Sequence, residues 1–213
     1  GYLPAAVLNY LLLLGWAPEG EQEIFSLDEM IKIWDPARIS KSPAIFDPLK
    51  LRAINAAYIR ALPAEEFRRL ADPFIDSAVH CSIDRDLLCA NLQPRCEVLE
   101  DIPPQLDFFD AVLPIDAEMY RNKKQKTTPE SAKEALTALL PVLEAQTDWT
   151  RDAIFEACKT LAESIEKKNG WLLFPLGIAL SGKSRTPGGG TDLAAMMGKE
   201  ETVKRVKAAL EKL

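Results

Sequence analysis

Signals that open and close α-helices recur along this chain, and signals that make β-hairpins do not. Pro4 heads an apolar run that stops at Gly15, the proline-first, glycine-last asymmetry of helices. Ser26-Leu27-Asp28-Glu29 is a capping box, in which two end residues satisfy each other's backbone N–H groups; the helix it opens carries Met30, Ile31 and Trp34. Asp35-Pro36 ends that helix, because the residue before a proline is driven out of the α region. Asp47-Pro48 starts another, with Leu51, Ile54, Tyr58 and Leu62 near helical spacing. Pro63-Ala64-Glu65-Glu66 opens a fourth, its carboxylates in the first turn where the helix dipole favours them. Thr128-Pro129-Glu130 opens a long helix through Leu140 and Leu143. Thr150 opens one expected to run to Lys168 and stop at Asn169-Gly170, and the last is expected from Lys199 to Leu213. No Asn-Gly or Asp-Gly turn lies between alternating apolar runs. No fixed-period repeat of the solenoid kind appears. The expected class is all-α.

The length of 213 residues, 47% of them apolar, leaves room for one large domain or two to three small ones. Boundaries are suggested near Leu62-Pro63 and in the basic stretch Arg121 to Thr127, giving segments 1–62, 63–126 and 127–213. The longest uncharged apolar run, Leu3 to Trp16, is too short to cross a bilayer and lacks the features of a signal peptide. The expected location is cytoplasmic, with no membrane partner. Cys81, Cys89, Cys96 and Cys158 form no C-x-x-C pair, and His80 is the one histidine. They read as reduced, buried thiols rather than metal ligands. A catalytic role for His80 with Cys81 or Cys89 has no motif behind it, so neither a metal nor a catalytic residue is expected. The net charge of −6 means that any nucleic acid must be met by local basic patches.

Residues 177–184, GIALSGKS, fit the phosphate-loop pattern G-x-x-x-x-G-K-[ST] letter for letter. That loop works only between a strand and a helix, whose N-terminus and successive N–H groups hold the phosphates. Here Arg185-Thr186-Pro187-Gly188-Gly189-Gly190 follows and resists helix, while Ile178-Ala179-Leu180-Ser181 can continue a helix begun near Trp171. The nucleotidase reading is therefore weak, and the glycine run reads as a flexible loop.

Several stretches together resemble the C-terminal half of bacterial-type class I glutamyl-tRNA synthetases. They are Gly1 to Leu11 with Leu14-Gly15-Trp16, Glu23 to Glu29, Ser40 to Leu51, Asn55 to Arg60, Asp148-Trp149-Thr150, Pro175 to Gly182, and Gly198-Lys199-Glu200. The resemblance spans essentially the whole chain; it is most specific over residues 1–62 and loosest between about 72 and 130. It implies a stem-contact-like helical segment (1–62) followed by two small anticodon-binding domains (63–126 and 127–213) forming an α-helical cage. It implies binding of the tRNA-Glu anticodon by the C-terminal part of a glutamate–tRNA ligase. ATP and magnesium would belong to a catalytic domain in cis, with no cofactor in this segment. The nucleotide-binding motifs of the family are expected before Gly1, so these residues alone are expected not to make aminoacyl-tRNA. Ser40-Lys41-Ser42-Pro43 resembles a family stretch downstream of the true signature lysine loop, which makes Lys41 structural or RNA-facing.

By the same resemblance, Leu92-Gln93-Pro94-Arg95 places Arg95 at the position that contacts the third anticodon base. The chemistry fits. Glutamate anticodons end in C, whose pairing edge offers the acceptors O2 and N3, and arginine is a donor-only fork. Glutamine anticodons end in G, whose edge presents N–H donors there and leaves the guanidinium unpaired. Thr186 matches a second anticodon-contacting position, followed by Pro187-Gly188. Gly189 then stands where the family has a bulky apolar residue, and Gly177 where it has an arginine. Lys183 and Arg185 are candidates for RNA backbone contacts, and Phe108, Phe109 and Trp171 for base stacking. The competing reading is a helical protein-interaction module that binds no RNA.

Overall fold

A computed structural model describes residues 1–40 and 43–213. Among the described residues, β pairing is limited to isolated bridges joining Trp16 to Ile39 and Asn122 to Thr127. The regular elements are helices: α1 (Pro4–Gly15), α2 (Leu27–Ile33), α3 (Pro48–Ala61), α4 (Ala64–Asp76), α5 (Arg85–Leu92), α6 (Pro129–Ala145), α7 (Arg151–Ser164), α8 (Asn169–Ser181), α9 (Gly190–Met197) and α10 (Lys199–Lys212). The fold is all-α. No described helix is long and apolar enough to cross a membrane.

The capping chemistry fixes most of the starts. Glu29 N–H donates to Ser26 Oγ (3.2 Å) and Ser26 N–H to Glu29 Oε2 (2.6 Å), so both halves of the box before α2 are made. Asp47 Oδ1 accepts from Leu49 N–H (2.9 Å) and Lys50 N–H (3.1 Å) ahead of α3. Thr128 and Ser131 do the same for α6. One expected end is wrong: α7 stops at Ser164, and Asn169-Gly170 form the first turn of α8. Glu166 adopts φ 55°, its N–H donates to Glu163 O (3.1 Å), and Lys167 N–H donates to Ala162 O (2.8 Å). This is a Schellman closure with a glutamate in the left-handed position usually given to glycine, which is why glycine-seeking misplaced it.

By its contacts the chain falls into two units, Gly1–Phe74 with Leu92–Ile102, and Ile75–Asn91 with Pro103–Leu213. In the first, α1 packs on α3 around Ala6, Tyr10, Ile54 and Ile59. Two buried asparagines staple its irregular segments. Asn9 donates to Glu23 O (2.7 Å) and accepts from Phe25 N–H (2.8 Å), while Asn55 accepts from Leu3 N–H (2.8 Å) and donates to Glu97 O (2.6 Å). Each amide thus satisfies backbone groups that no helix serves.

The second unit packs α6, α8, α9 and α10 around Leu136, Leu139, Leu172, Leu176, Leu180, Leu193 and Val206. Its polar centre is Arg205, 3% exposed. Its guanidinium donates to Phe108 O (2.7 Å), Leu180 O (2.7 Å), Phe109 O (2.6 Å) and Glu201 Oε1 (2.7 Å). One side chain of α10 therefore caps the last turn of α8 and the irregular segment after Pro103. A buried charge is tolerable here because its donors meet acceptors.

Candidate nucleic-acid interface

Arg95 ends the 3-10 turn Gln93–Arg95, which follows α5 because Pro94 has no N–H with which to continue an α-helix. The turn is fixed from below. Gln93 Nε2 donates to Ile59 O (3.0 Å) and Leu62 O (2.8 Å), carbonyls at the C-terminal end of α3. Arg52 Nε donates to Glu97 Oε2 (2.9 Å), and its Nη2 pairs with Asp101. Leu92 and Cys96 on either side are buried. Arg95 itself is exposed, with no hydrogen bond or ion pair among the described residues. Apart from Arg60 and Arg185, the other arginines hold carboxylates. A rigid turn thus presents an unspent donor fork to solvent.

Lys183, Arg185, Thr186 and Gly189 share one loop in the second unit, between α8 and α9. Its geometry rules out a phosphate loop. Residues 177–181 are helical, and Gly182 ends α8 in the left-handed region (φ 70°) with its N–H on Ile178 O. A Cβ on Gly182 would meet Leu113 O at 2.7 Å, so the glycine serves packing and helix termination. The loop thus leaves a helix C-terminus, where the dipole repels anions, instead of entering a helix N-terminus. Lys183 is already engaged: its ammonium donates to Pro104 O (2.8 Å) and pairs with Asp107. Arg185 is exposed and without a partner among the described residues.

Downstream the loop is held from within. Thr186 Oγ1 donates to Gly188 O (2.6 Å), and Gly189 N–H donates to Asp192 Oδ2 (2.7 Å). Arg151 Nε donates to the other oxygen of Asp192 (3.1 Å). The glycine run is therefore ordered by hydrogen bonds, not the free linker that its composition suggested. Gly190 is demanded by contact: a Cβ there would lie 2.6 Å from Leu173 O and 3.1 Å from Gly177 N. Gly189 is exposed and leaves an open face where a bulky side chain was expected. Lys41 lies outside the described residues.

The stacking candidates are overturned. Phe108 and Phe109 are fully buried and stack on each other at 4.5 Å, and Trp171 is 8% exposed beneath Lys167. Their apolar surface is spent on the core, so no base reaches it. The thiols are not activated. Desolvation pushes Cys96 up to about 11 and Cys158 up to about 12. Cys81, exposed rather than buried as expected, is also raised, by desolvation and then by Asp110. Among the described residues no group of three or more His, Cys, Asp or Glu is placed to hold a metal ion.

Residues 50–210 match the model of the anticodon binding domain family. The chain belongs to this anticodon-binding domain family. Residues 1–53 match the model of the class I (E and Q) tRNA synthetase catalytic domain. Relatives of this chain include the "Glutamate--tRNA ligase" of Clostridium botulinum strain Hall, 45% identical over 213 residues. That of Clostridium tetani is 44% identical. Each alignment covers 100% of this chain and 44% of the relative, so the chain spans less than half of their length. Among solved structures, a glutamate tRNA ligase from Elizabethkingia meningosepticum in complex with its amino acid superposes with a TM-score of 0.86 at 30% identity, covering 100% of this chain and 42% of that one. The glutamate-tRNA synthetase of Elizabethkingia anophelis gives 0.82 at 28% identity, with 99% and 41% covered.

The residues that sequence reading missed are those that position the others: Gln93 and Arg52 under Arg95, and Asp192 and Arg151 under the glycine loop. Asp192 carried a faint signal, an acidic residue three positions after the residue that begins a helix. Arg151 and Arg52 carried none, because their acceptors lie 41 and 49 residues away.

Proposed function

We propose that this chain grips the anticodon loop of tRNA-Glu as the C-terminal part of a glutamate–tRNA ligase. The observation that carries the reading is the free guanidinium of Arg95 on a turn anchored by Gln93, in a chain whose arginines are otherwise mostly paired. Arg95 donates to O2 and N3 of the third anticodon base, C. A G in its place turns donors toward donors, which costs about 1–3 kcal/mol of unpaired polar groups. Thr186 and Gly189 face the loop, Thr186 with its hydroxyl oxygen and Gly189 with room for a base where relatives place bulk. Arg185 neutralises a backbone phosphate; Lys183 orients the segment through Asp107 and meets RNA only by releasing that carboxylate. Lys41 is a further backbone contact in the proposal. The three-part division, a stem-contact segment over 1–62 and two anticodon-binding domains over 63–126 and 127–213, belongs to the same reading. ATP and magnesium serve the catalytic domain in cis, and this chain's own residues bind and position RNA.

A domain in cis would cover apolar surface that this chain leaves exposed. The exposed large apolar side chains, Leu8 to Leu49, all fall within the segment that matches the catalytic model, and several line an open groove of about 570 Å³.

The test is binding of anticodon stem-loops that differ only in C or G at the third position. The chain should prefer C by about 5- to 150-fold, the range that 1–3 kcal/mol sets. Arg95→Gln, with an amide that donates and accepts, should shrink that ratio toward one without changing the thermal midpoint. An unaltered ratio removes Arg95 from the role. Absence of binding by the unmodified chain at low salt overturns the whole reading in favour of a protein-interaction module.

A further inference from the structure

The second unit carries another basic surface, at the opposite end of α8 from the 183–189 loop. The bridge between Asn122 and Thr127 closes a tight turn in which both backbones exchange hydrogen bonds (3.0 and 3.1 Å). Asn122 Oδ1 accepts from Lys124 N–H (3.0 Å) and Gln125 N–H (3.1 Å). Lys126 is held at φ 56°, a conformation that side chains rarely adopt. The turn is pressed against the start of α8: the Gln125 amide fills the space where a Cβ on Gly170 would sit, its oxygen 1.7 Å from that point. Lys124 and Lys126 flank Gln125, and Lys168 stands two residues before Gly170. With about 3.8 Å between successive Cα atoms, their backbones lie within roughly two residue lengths of this contact.

Lys123, Lys124, Lys126, Lys167 and Lys168 are all exposed. None of their ammoniums has a hydrogen bond or ion pair among the described residues, and that of Lys167 alone has a contact, 5.3 Å over the Trp171 ring. Glu163 and Glu166 lie beside Lys167 and Lys168, and Glu118 and Glu130 lie beside the turn, where Glu118 is already paired with Arg121. Elsewhere in this acidic chain Lys159, Lys204 and Lys207 are each paired with a glutamate. Exposed like charges repel, and a turn that holds them together is stabilised by a polyanion.

We infer that these five lysines form a second phosphate-binding surface, which takes the ribose–phosphate backbone of the tRNA. The inference rests on the tRNA reading above. The ligand class is a phosphodiester strand, because the lysines are point charges without the planar fork that reads bases or carboxylates. The 13 residues of α8 separate this surface from Arg185 by about 20 Å at 1.5 Å per residue, long enough for several phosphates.

The test is the salt dependence of tRNA-Glu binding by Lys123→Gln/Lys124→Gln/Lys168→Gln, compared with the unmodified chain and with arginine at the same three positions. Lys126 and Lys167 are left in place because φ and the Trp171 contact constrain them. Losing three phosphate contacts should lower the slope of log K against log salt by about 2 to 3. Between 50 and 200 mM salt the variant should therefore lose about 20- to 40-fold less affinity than the unmodified chain does. Arginines should restore the slope, and the preference for C over G should not move. An unchanged slope with C/G preference intact overturns this inference and leaves the Arg95 reading standing. Failure of the unmodified chain to bind tRNA removes both. A variant that keeps its tRNA slope and loses binding to vesicles of anionic phospholipid overturns it in favour of a membrane surface.

Discussion

Removing the guanidinium of Arg205 tests whether one buried side chain ties the second unit together. In Arg205→Ala, three backbone carbonyls lose their donor: Phe108 O, Phe109 O and Leu180 O. Each orphaned buried acceptor costs about 1–3 kcal/mol, and Glu201 is left without its nearest cation. Water entering the space recovers part of this, which puts the net loss at about 3–5 kcal/mol, the range for breaking a buried charge network from one side. For a chain of this size, about 2–4 °C per kcal/mol translates that into a fall in Tm of roughly 6–20 °C. Urea unfolding should register the same loss, in a transition assigned to the second unit by the fluorescence of Trp149 and Trp171. Arg205→Lys should lie between, since one ammonium cannot reach four acceptors set apart as a fork. Lys204→Ala, which removes the exposed pair to the same Glu201, should cost less than about 1 kcal/mol. If Arg205→Ala and Lys204→Ala destabilise equally, the carbonyls are served by something other than Arg205 and the reasoning fails.

Gly190→Ala should loosen both stability and RNA binding. The new methyl would sit 2.6 Å from a backbone oxygen of α8, so α9 must move away, carrying Asp192 from Gly189 N–H. A loss of about 1–3 kcal/mol, the cost of overpacking, is expected in thermal unfolding; Gly177→Ala, which makes only ordinary contacts, is the control. The Asp110 carboxyl is held well below its usual range by the His80 ring, the His80 N–H and the Cys81 N–H. With the folded value depressed, its contribution is present above the unfolded value of about 3.9 and is lost as pH falls below it toward the folded one. Asp110→Asn should therefore be less stable than the unmodified chain at pH 6, with the gap closing at pH values well under 4; a gap independent of pH would mean that the carboxylate's charge plays no part.

The starts of α2, α3, α6 and α7 were legible in the sequence because capping is local. Ser26 with Glu29, Asp47 with Pro48 and Thr128 with Ser131 satisfy N–H groups two or three residues away, so a window of four residues contains the physics. The all-α class followed from their sum, and Gly182, Ile178 and Arg185-Thr186-Pro187 were enough to turn the phosphate-loop match into a helix end. Arg95 was singled out by its motif, but its neighbours in sequence say nothing about its freedom. That depends on Gln93 reaching Ile59 and Leu62 and on no carboxylate arriving from elsewhere, which only the packed chain decides. The same holds for the choice among arginines. Arg205 and Arg185 are the same residue type, yet one is buried under three carbonyls and the other faces solvent, because burial is set by segments brought together from 25 to 97 residues away. Local chemistry determined where most of the capped helices begin; long-range contacts decided which charges hold the fold and which remain exposed to solvent.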